Sequence, residues 1–322
     1  MKSTQWRLKQ SRYLTDPSAS SKSDTSPYNY KWEIPVTYIT SADPSSKKQT
    51  WFDSNDLFIL VDAQSGTDWI KFNVGQYGFY RVNYPENEWL NFAQLLMENS
   101  DILSTKDRAH LINDAFSLAE SGHLEYSIPL SMTKYLKKES SLIPWESAYE
   151  KINTMGRLLS DSPTYSLFRK YVNHLINDHY DRLQWKDVGN HVERIHRINI
   201  LTLACKNGHK ACLEQAGNLF LAWIRDKSAY IPPNLRSIAY QYGMLSKGDE
   251  STWNVMLQRY MSETNAQEKI KLLKGLAWID QPWILRQFIR LAKNETVVRS
   301  QDFLLCLRYL SGLFFNAYFQ YL

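Results

Sequence analysis

A change of hydrophobic period between residues 75 and 116 constrains the fold of this chain more than any other feature. Residues 79–82 read Phe-Tyr-Arg-Val, with apolar and polar side chains in alternation. Residues 107–116 read Asp-Arg-Ala-His-Leu-Ile-Asn-Asp-Ala-Phe, with apolar side chains at helical spacing. A period of two is typical of a β-strand and a period of 3.6 of an α-helix. The sequence therefore predicts a β module followed by an α module.

Short strands are predicted throughout the first 84 residues. They cover residues 5–13, 31–39, 49–52, 57–61, 69–74 and 79–84. Between them, residues 16–27 and 41–48 are rich in Ser, Asp and Pro, which predicts mobile loops. Six strands at this spacing predict a small antiparallel β-sandwich domain over residues 1–84.

The chain after residue 84 has helical spacing almost to its end. Ser104 and Asp107 are typical of a helix start, and Gly122 stands where a left-handed helix end is expected. One face between them is apolar, at Leu111, Ile112, Ala115, Phe116 and Ala119. Further helices are predicted at residues 128–137, 145–159, 163–179, 192–206, 211–225, 235–245, 251–263, 267–278, 282–293 and 301–315.

Short connections between these helices predict that neighbours pack as antiparallel pairs. We therefore expect residues 85–322 to form a large all-α domain of helical hairpins, a superhelix of the HEAT or armadillo type. A compact helical bundle is the alternative, because no repeat period can be fixed. The fold class is multidomain α+β.

Composition and charge exclude several functions. The 38 basic and 33 acidic residues are interspersed, so no basic stripe suggests a nucleic-acid partner. Only 12 of 322 residues are glycine, which argues against a phosphate-binding loop. The first ten residues lack the apolar segment of a signal peptide. Residues 303–322 are apolar but include Arg308 and Gln320, which favours a core helix over a membrane span.

The seven histidines lack the spacing of a hydrolytic zinc site. That site needs two histidines one helical turn apart with a glutamate beside the first, and no histidine here precedes a glutamate. His191 and His196 are five residues apart, about 140° around a helix axis. We interpret them as part of a polar helix start. Serine-hydrolase, phosphate-loop, Cys-x-x-Cys and calcium-loop patterns are also absent, so the chain is predicted to be catalytically silent.

Two cysteines, Cys205 and Cys212, flank a helix–turn–helix corner predicted at residues 207–208. Such a corner can bring their Cα atoms within bridging distance, whereas one continuous helix cannot. The residues leave two alternatives, a small disulfide loop or two buried thiols. Cys306 is interpreted as a buried helix residue.

Other polar and aromatic residues also suggest roles. Asn294, Glu295 and Thr296 form a glycosylation sequon, which fits a secreted or luminal chain but also arises by chance. Arg81 and the neighbouring residues Asp107 and Arg108 are expected to form a structural ion pair across the junction of the two modules. Four tryptophans could stack on a peptide or sugar, although helical spacing favours a core-filling role. They are Trp223, Trp253, Trp278 and Trp283.

Several strings of the chain resemble the C-terminal region of gluzincin-type zinc aminopeptidases, in the group of aminopeptidase N and glutamyl aminopeptidase. They are residues 78–84, 107–116, 142–146, 233–236 and 242–244. The likeness runs from about residue 5 to about residue 311. In this group a six-residue spacer separates two bonded cysteines, which implies a Cys205–Cys212 disulfide here.

The resemblance implies that zinc and all catalytic residues belong to a domain that this chain lacks. It implies a non-catalytic β-sandwich and a helical lid over the substrate chamber of an enzyme that removes N-terminal residues from peptides. It also implies a place on the extracellular face of the plasma membrane or in the secretory pathway, and a homodimer through the helical domain.

We expect the chain to be a fragment whose helical domain is truncated at its C-terminus, exposing an apolar face at residues 303–322 that aggregates or binds a partner. The alternative is a free-standing helical-repeat scaffold that binds peptides or proteins.

Overall fold

The computed structural model describes residues 4–19 and 26–314, and in this part of the chain five β-strands precede twelve α-helices. The chain divides into two compact units, residues 1–151 and residues 152–322. The first unit contains all the described strands together with the first three helices. The predicted order of a small antiparallel β region and a large helical region is confirmed.

The strands form two small antiparallel sheets. Their bounds are β1 Thr4–Leu8, β2 Ile34–Thr40, β3 Asp43–Phe52, β4 Ile59–Ala63 and β5 Ile70–Phe72. β1 pairs with β4, with Trp6 opposite Val61. The other sheet has the order β3-β2-β5, with Tyr38 of β2 opposite Phe72 of β5. β2 is therefore the central strand of this sheet and pairs with both β3 and β5.

The prediction of a loop at residues 41–48 is wrong for residues 43–48, which belong to strand β3. β3 begins at Asp43 and pairs with β2 as a hairpin, with Thr40 opposite Asp43 and Tyr38 opposite Lys48. Pro44 is compatible with this strand because β3 lies at the edge of its sheet, where a missing N–H is tolerated. Of the other predicted loop, residues 20–25 lie outside the described residues.

The strand predicted at residues 79–84 is also wrong, because this segment is irregular. Its backbone groups bond to side chains instead of a neighbouring strand. The Asn73 side chain donates to the carbonyls of Gly78 and Tyr80, and the Val82 N–H donates to Asp114. Alternation suggested a half-buried sheet, yet the Phe79 side chain is fully exposed.

The helices follow the predicted pattern closely. Their bounds are α1 Glu86–Asn99, α2 Thr105–Glu120, α3 Ser127–Thr133, α4 Leu142–Leu158, α5 Tyr165–Leu183, α6 His191–Lys206, α7 Lys210–Arg225, α8 Arg236–Lys247, α9 Glu250–Ser262, α10 Ala266–Leu276, α11 Pro282–Ala292 and α12 Phe303–Phe314. Among these helices, α1 is the only one for which the sequence analysis predicted no bounds. Residues 315–322, the rest of the predicted apolar segment, lie outside the described residues. None of the helices described here is both long and apolar enough to span a bilayer.

Helix α2 confirms the sequence analysis in detail. The Ser104 hydroxyl accepts the Asp107 N–H, and the five predicted apolar side chains are all buried. At the other end, Gly122 has a φ of 73°. The N–H of His123 reaches back to the Leu118 carbonyl at 2.8 Å, which completes a Schellman ending.

Helices pack against each other within each unit. In the first, α3 contacts both α1 and α2; in the second, α5 contacts α6, α7 contacts α8, and α10 contacts α8 and α9. Strand gives way to helix close to residue 84, but the compact units divide after residue 151. Residue 84 as a domain boundary therefore stays a prediction.

We predict that Gly122→Ala lowers the stability of the first unit by about 1 kcal/mol, the cost of a left-handed conformation for a residue with a Cβ. No other atom lies within 4 Å of the added Cβ, so backbone strain is the only cost. Gly122→Asn is the matched control. Asn tolerates a left-handed conformation better than Ala does, so this variant should lose less stability than Gly122→Ala. Thermal unfolding followed by circular dichroism tests this, and equal midpoints for glycine and alanine would contradict it.

Candidate functional site

A fully buried lysine, Lys71 of β5, organises the polar core of the first unit. Its Nζ lies 2.9 Å from Asp107 Oδ1 and 2.9 Å from His110 Nδ1, and it donates to the carbonyls of Phe72 and Asn73. Burial lowers the pKa of Lys71, and the charge of Asp107 opposes this effect only in part. Since the side chain is 0% exposed, the amine cannot reach a substrate.

The carboxylate of Asp107, in the first turn of α2, is the counter-ion of Lys71. It also accepts the Gly75 N–H at 2.7 Å and the Ser104 hydroxyl at 2.6 Å. Burial by itself raises the pKa of Asp107, but the Lys71 charge and these hydrogen bonds outweigh burial and hold it below its ordinary value. The carboxylate therefore stays ionised and fixes the start of α2 to residues 71–75.

His110 extends the network along α2. An ammonium group can only donate, so His110 Nδ1 accepts from Lys71 and the ring donates from Nε2 to Asp114 Oδ2, 2.7 Å away. Asp114 in turn accepts from Arg81 at 2.9 Å and from the Val82 N–H. A continuous chain of hydrogen bonds thus runs from Asp107 to Arg81.

A second buried ion pair joins α2 to the segment after α3. The Arg108 guanidinium binds Glu139 with two hydrogen bonds, of 2.6 and 3.0 Å, and also donates to the Leu103 carbonyl. Bidentate geometry of this kind is the strongest form of an arginine–carboxylate pair.

The predicted junction residues are all in ion pairs, but with partners other than those expected. Arg81 pairs with Asp114, Asp107 with Lys71 and Arg108 with Glu139. Sequence reasoning did not single out Lys71. A lysine between Ile70 and Phe72, in a strand buried on both faces, was the available signal.

The histidines contribute to packing and helix starts. The rings of His179 and His196 meet edge to face at 5.7 Å, and burial together with His179, Arg182 and Arg197 lowers the pKa of His196 to about 3. Helix α6 begins with a capping box between Asn190 and Glu193, consistent with the predicted polar helix start. Among the described residues, no group of three or more His, Cys, Asp or Glu side chains could hold a metal ion. These residues do not fit a zinc centre.

The corner between α6 and α7 contains a disulfide between Cys205 and Cys212, whose Cα atoms are 5.2 Å apart. Of the two alternatives for these cysteines, the structure contains the disulfide. Gly208 has a φ of 73°, and the His209 N–H bonds back to the Ala204 carbonyl. His209 also starts α7, because its Nδ1 accepts the Cys212 N–H at 3.3 Å.

The remaining candidate residues have different surroundings. Asn294 is exposed after α11, and its side-chain oxygen accepts from the Thr296 hydroxyl and N–H. Glycosylation at this position stays a prediction. Of the four tryptophans, Trp283 alone is exposed, at 60%. The other three fill the helical core, so the four do not share one stacking surface.

Together, the helices and the charges buried among them describe a mainly α-helical chain whose polar network is structural. Residues 69–321 match the family described as ERAP1-like C-terminal domain. The match covers most of the chain, and the chain therefore belongs to this family. It corresponds to the C-terminal region of aminopeptidases, as its motifs suggested.

Relatives of known activity support the same assignment. The chain is 34% identical to glutamyl aminopeptidase of Homo sapiens over 312 residues, which is 97% of this chain and 32% of that protein. It is 34% identical to aminopeptidase A of Gloydius brevicauda, over 96% of this chain and 32% of that protein. It is 31% identical to the thyrotropin-releasing hormone-degrading ectoenzyme of Rattus norvegicus, over 92% of this chain and 29% of that protein. The chain spans about a third of the length of these relatives.

We predict that Lys71→Met lowers the free energy of unfolding by about 3–5 kcal/mol, because Asp107 would be left buried without its counter-ion. The double variant, Lys71→Met with Asp107→Asn, should lose less free energy of unfolding than the two single variants lose together. The stabilisation from Asp107 requires its ionised form, so it should be complete above about pH 4 and be lost as the pH falls through the lowered pKa of Asp107.

The control is Lys151→Met, which removes a half-exposed pair with Glu120 in the same unit. Its cost should be at most about 1 kcal/mol. Urea unfolding of the full chain at several pH values tests both statements. Equal losses for Lys71→Met and Lys151→Met would contradict the structural role of Lys71.

We predict that reducing the disulfide lowers the stability of the second unit by about 2.5 kcal/mol, because the bond closes a short loop and restricts the unfolded chain. The double variant Cys205→Ala with Cys212→Ala should unfold at the same midpoint with or without reductant. Cys306→Ala is the control, because Cys306 is a buried free thiol and the response to reductant should be preserved. An unchanged wild-type midpoint in reductant would refute the expectation.

Proposed function

We propose that this chain is the non-catalytic C-terminal part of a zinc metalloaminopeptidase that removes N-terminal residues from peptides, and that it forms the lid of the substrate chamber. The observation that carries the proposal is the match of nearly the whole chain to about a third of glutamyl aminopeptidase. In the parent enzyme, a separate catalytic domain would hold the zinc ion. The chain's own buried charges would serve to keep the lid rigid.

The finer architecture belongs to the same proposal. The two antiparallel sheets would form a β-sandwich spacer over residues 1–84, and the helices from residue 85 onward would form a superhelix of hairpins. Packing of consecutive helices, such as α5 with α6 and α7 with α8, supports the hairpin arrangement. It does not set a repeat length.

Location and partners follow from the family. We infer that the parent enzyme acts on peptides at the extracellular face of the plasma membrane or in the secretory pathway, and that it pairs as a homodimer through the helical domain. The Cys205–Cys212 disulfide supports an oxidising compartment. The exposed Asn294 sequon is compatible with glycosylation there.

Two purified proteins test the proposed function. The first is the purified chain, which should not hydrolyse a fluorogenic glutamyl substrate. The second is human glutamyl aminopeptidase with its matching region replaced by this chain. This chimera should hydrolyse the substrate, and a zinc chelator should abolish its activity.

Two results would contradict the proposal. Chelator-sensitive hydrolysis by the purified chain would place a catalytic centre within it. A folded but inactive chimera, together with tight peptide binding by the purified chain, would favour the free-standing scaffold. A reading frame upstream that encodes His-Glu-x-x-His in phase would support the proposed parent enzyme.

A further inference from the structure

The loop at residues 73–80, which directly follows β5, has a strained backbone. Asn73, Gly75 and Gln76 have φ values of 55°, 66° and 56°. These values lie in the left-handed region, which is unfavourable for residues with a Cβ such as Asn73 and Gln76. Such a conformation persists only where the surrounding structure enforces it.

Hydrogen bonds enforce the shape of this loop. The buried Asn73 side chain accepts the Gly78 N–H at 2.8 Å and donates to the carbonyls of Gly78 and Tyr80. On the sheet side, Thr37 of β2 accepts the N–H groups of Asn73 and Val74, at 2.7 and 2.9 Å. The loop is therefore fixed both within itself and to β2.

The fixed backbone determines which aromatic side chains of the loop face solvent. Tyr80 is half-buried, its hydroxyl donates to the Pro35 carbonyl at 3.1 Å, and its ring fills the space that a Cβ at Gly78 would need. By contrast, Tyr77 is 68% exposed and Phe79 is fully exposed. The loop therefore holds two large aromatic rings in solvent by means of an unfavourable backbone conformation.

Strand β3 extends this exposed surface. Alternate residues of β3, from Asp43 to Trp51, face solvent on one side of the strand. Among them, Lys47 lies over the Tyr77 ring, with its Nζ 5.6 Å from the ring centre. Trp51, Tyr77 and Phe79, which we call the aromatic surface, all belong to the first unit.

We propose that the aromatic surface docks into an apolar recess on the catalytic part of the parent enzyme. This inference rests on the proposed function and adds to it the contact between the two parts. Aromatic residues are enriched in the cores of protein interfaces. A loop that is already rigid also loses little conformational freedom when it binds.

The relatives favour this partner. The matched region is 32% of human glutamyl aminopeptidase, so about two thirds of that protein lies outside it. The matched family is a C-terminal domain, so in the parent enzyme the catalytic part would precede this region. Elements that are close in sequence usually pack together, and the first unit is the part of this chain nearest to the catalytic part.

A second copy of this chain is a less suitable partner. Three aromatic side chains bury at most about 750 Å², at roughly 150–250 Å² each. Trp51 and Tyr77 are partly covered already, so they offer less. A stable interface between separate molecules needs about 800 Å² from each partner. Two parts of one polypeptide can dock through a smaller surface, because their linkage gives a high effective concentration.

A single exposed aromatic side chain is common on protein surfaces and needs no partner. Tyr28 is therefore the matched control. It lies in the same unit and is 77% exposed, but it is outside the strained loop.

Hydroxyl-radical footprinting tests the contact, since it measures how accessible each side chain is to solvent. It compares the purified chain with the chimera of human glutamyl aminopeptidase. Tyr77 and Phe79 should be oxidised several-fold more slowly in the chimera, because an interface core excludes water. Tyr28 should be oxidised at the same rate in both proteins.

Variants measure what the contact contributes. Phe79→Ala should make thermal unfolding of the chimera about tenfold faster at a fixed temperature, the usual scale for losing an aromatic anchor of an interface. Tyr28→Ala should leave the rate unchanged. In the purified chain Phe79→Ala should not lower the unfolding midpoint, since its side chain is fully exposed there.

The outcomes are distinct. Equal oxidation of Tyr77 and Phe79 in the two proteins would overturn the inference. Protection that appears when the purified chain is concentrated would also overturn it, because a second copy would then cover the surface. Protection in a folded chimera without activity would contradict the proposed function but support the docking.

A second test does not need the chimera. The purified chain should bind the apolar dye anilinonaphthalene sulfonate, since the aromatic surface is uncovered there. The double variant Tyr77→Ala with Phe79→Ala should bind several-fold less dye than Tyr28→Ala does. Equal dye binding by these two proteins would overturn the inference.

Discussion

The ion pair between Lys71 and Asp107 is the interaction on which the first unit depends. An ammonium group that is completely buried costs several kcal/mol unless a charge and hydrogen bonds compensate it. Asp107 provides the charge, and His110 with two backbone carbonyls provides the remaining acceptors. Because strand β5 contributes the lysine and helix α2 the carboxylate, the ion pair fixes the sheet and the helix to each other.

The same helix also determines the irregular segment between them. A stretch of chain outside regular structure must find partners for its N–H and C=O groups. Here the carboxylates of Asp107 and Asp114 accept the N–H groups of Gly75 and Val82, respectively. The Asn73 side chain donates to the Gly78 carbonyl within the same segment. The polar face of α2 therefore takes the place of a neighbouring strand.

Local features were predictable from the sequence, and this explains which expectations were confirmed. The start of α2 at Ser104, its apolar face and its end at Gly122 each depend on residues within a few positions of one another. The corner at residues 205–212 is local in the same sense. The family could also be inferred, because its motifs are contiguous strings.

Features that depend on distant partners could not be predicted in this way. Alternation at residues 79–82 looked like a strand because the sequence does not show that Asp114 would take the Val82 N–H. The role of Lys71 was missed because its counter-ion, Asp107, lies on a helix beyond the irregular segment. The partners of Arg81 and Arg108 were missed for the same reason, since an ion pair between remote residues leaves no periodic signal.

The position of His209 has a consequence for acidic surroundings. Its Nδ1 can accept the Cys212 N–H only while that nitrogen carries no proton, and the same ring packs against Tyr180 at 4.4 Å. Burial lowers the pKa of His209, although Asp181 acts in the opposite direction. The imidazole thus remains neutral in mildly acid solution where a solvated histidine would begin to protonate. The disulfide-bonded corner between α6 and α7 would therefore keep this hydrogen bond as the pH falls into the mildly acidic range.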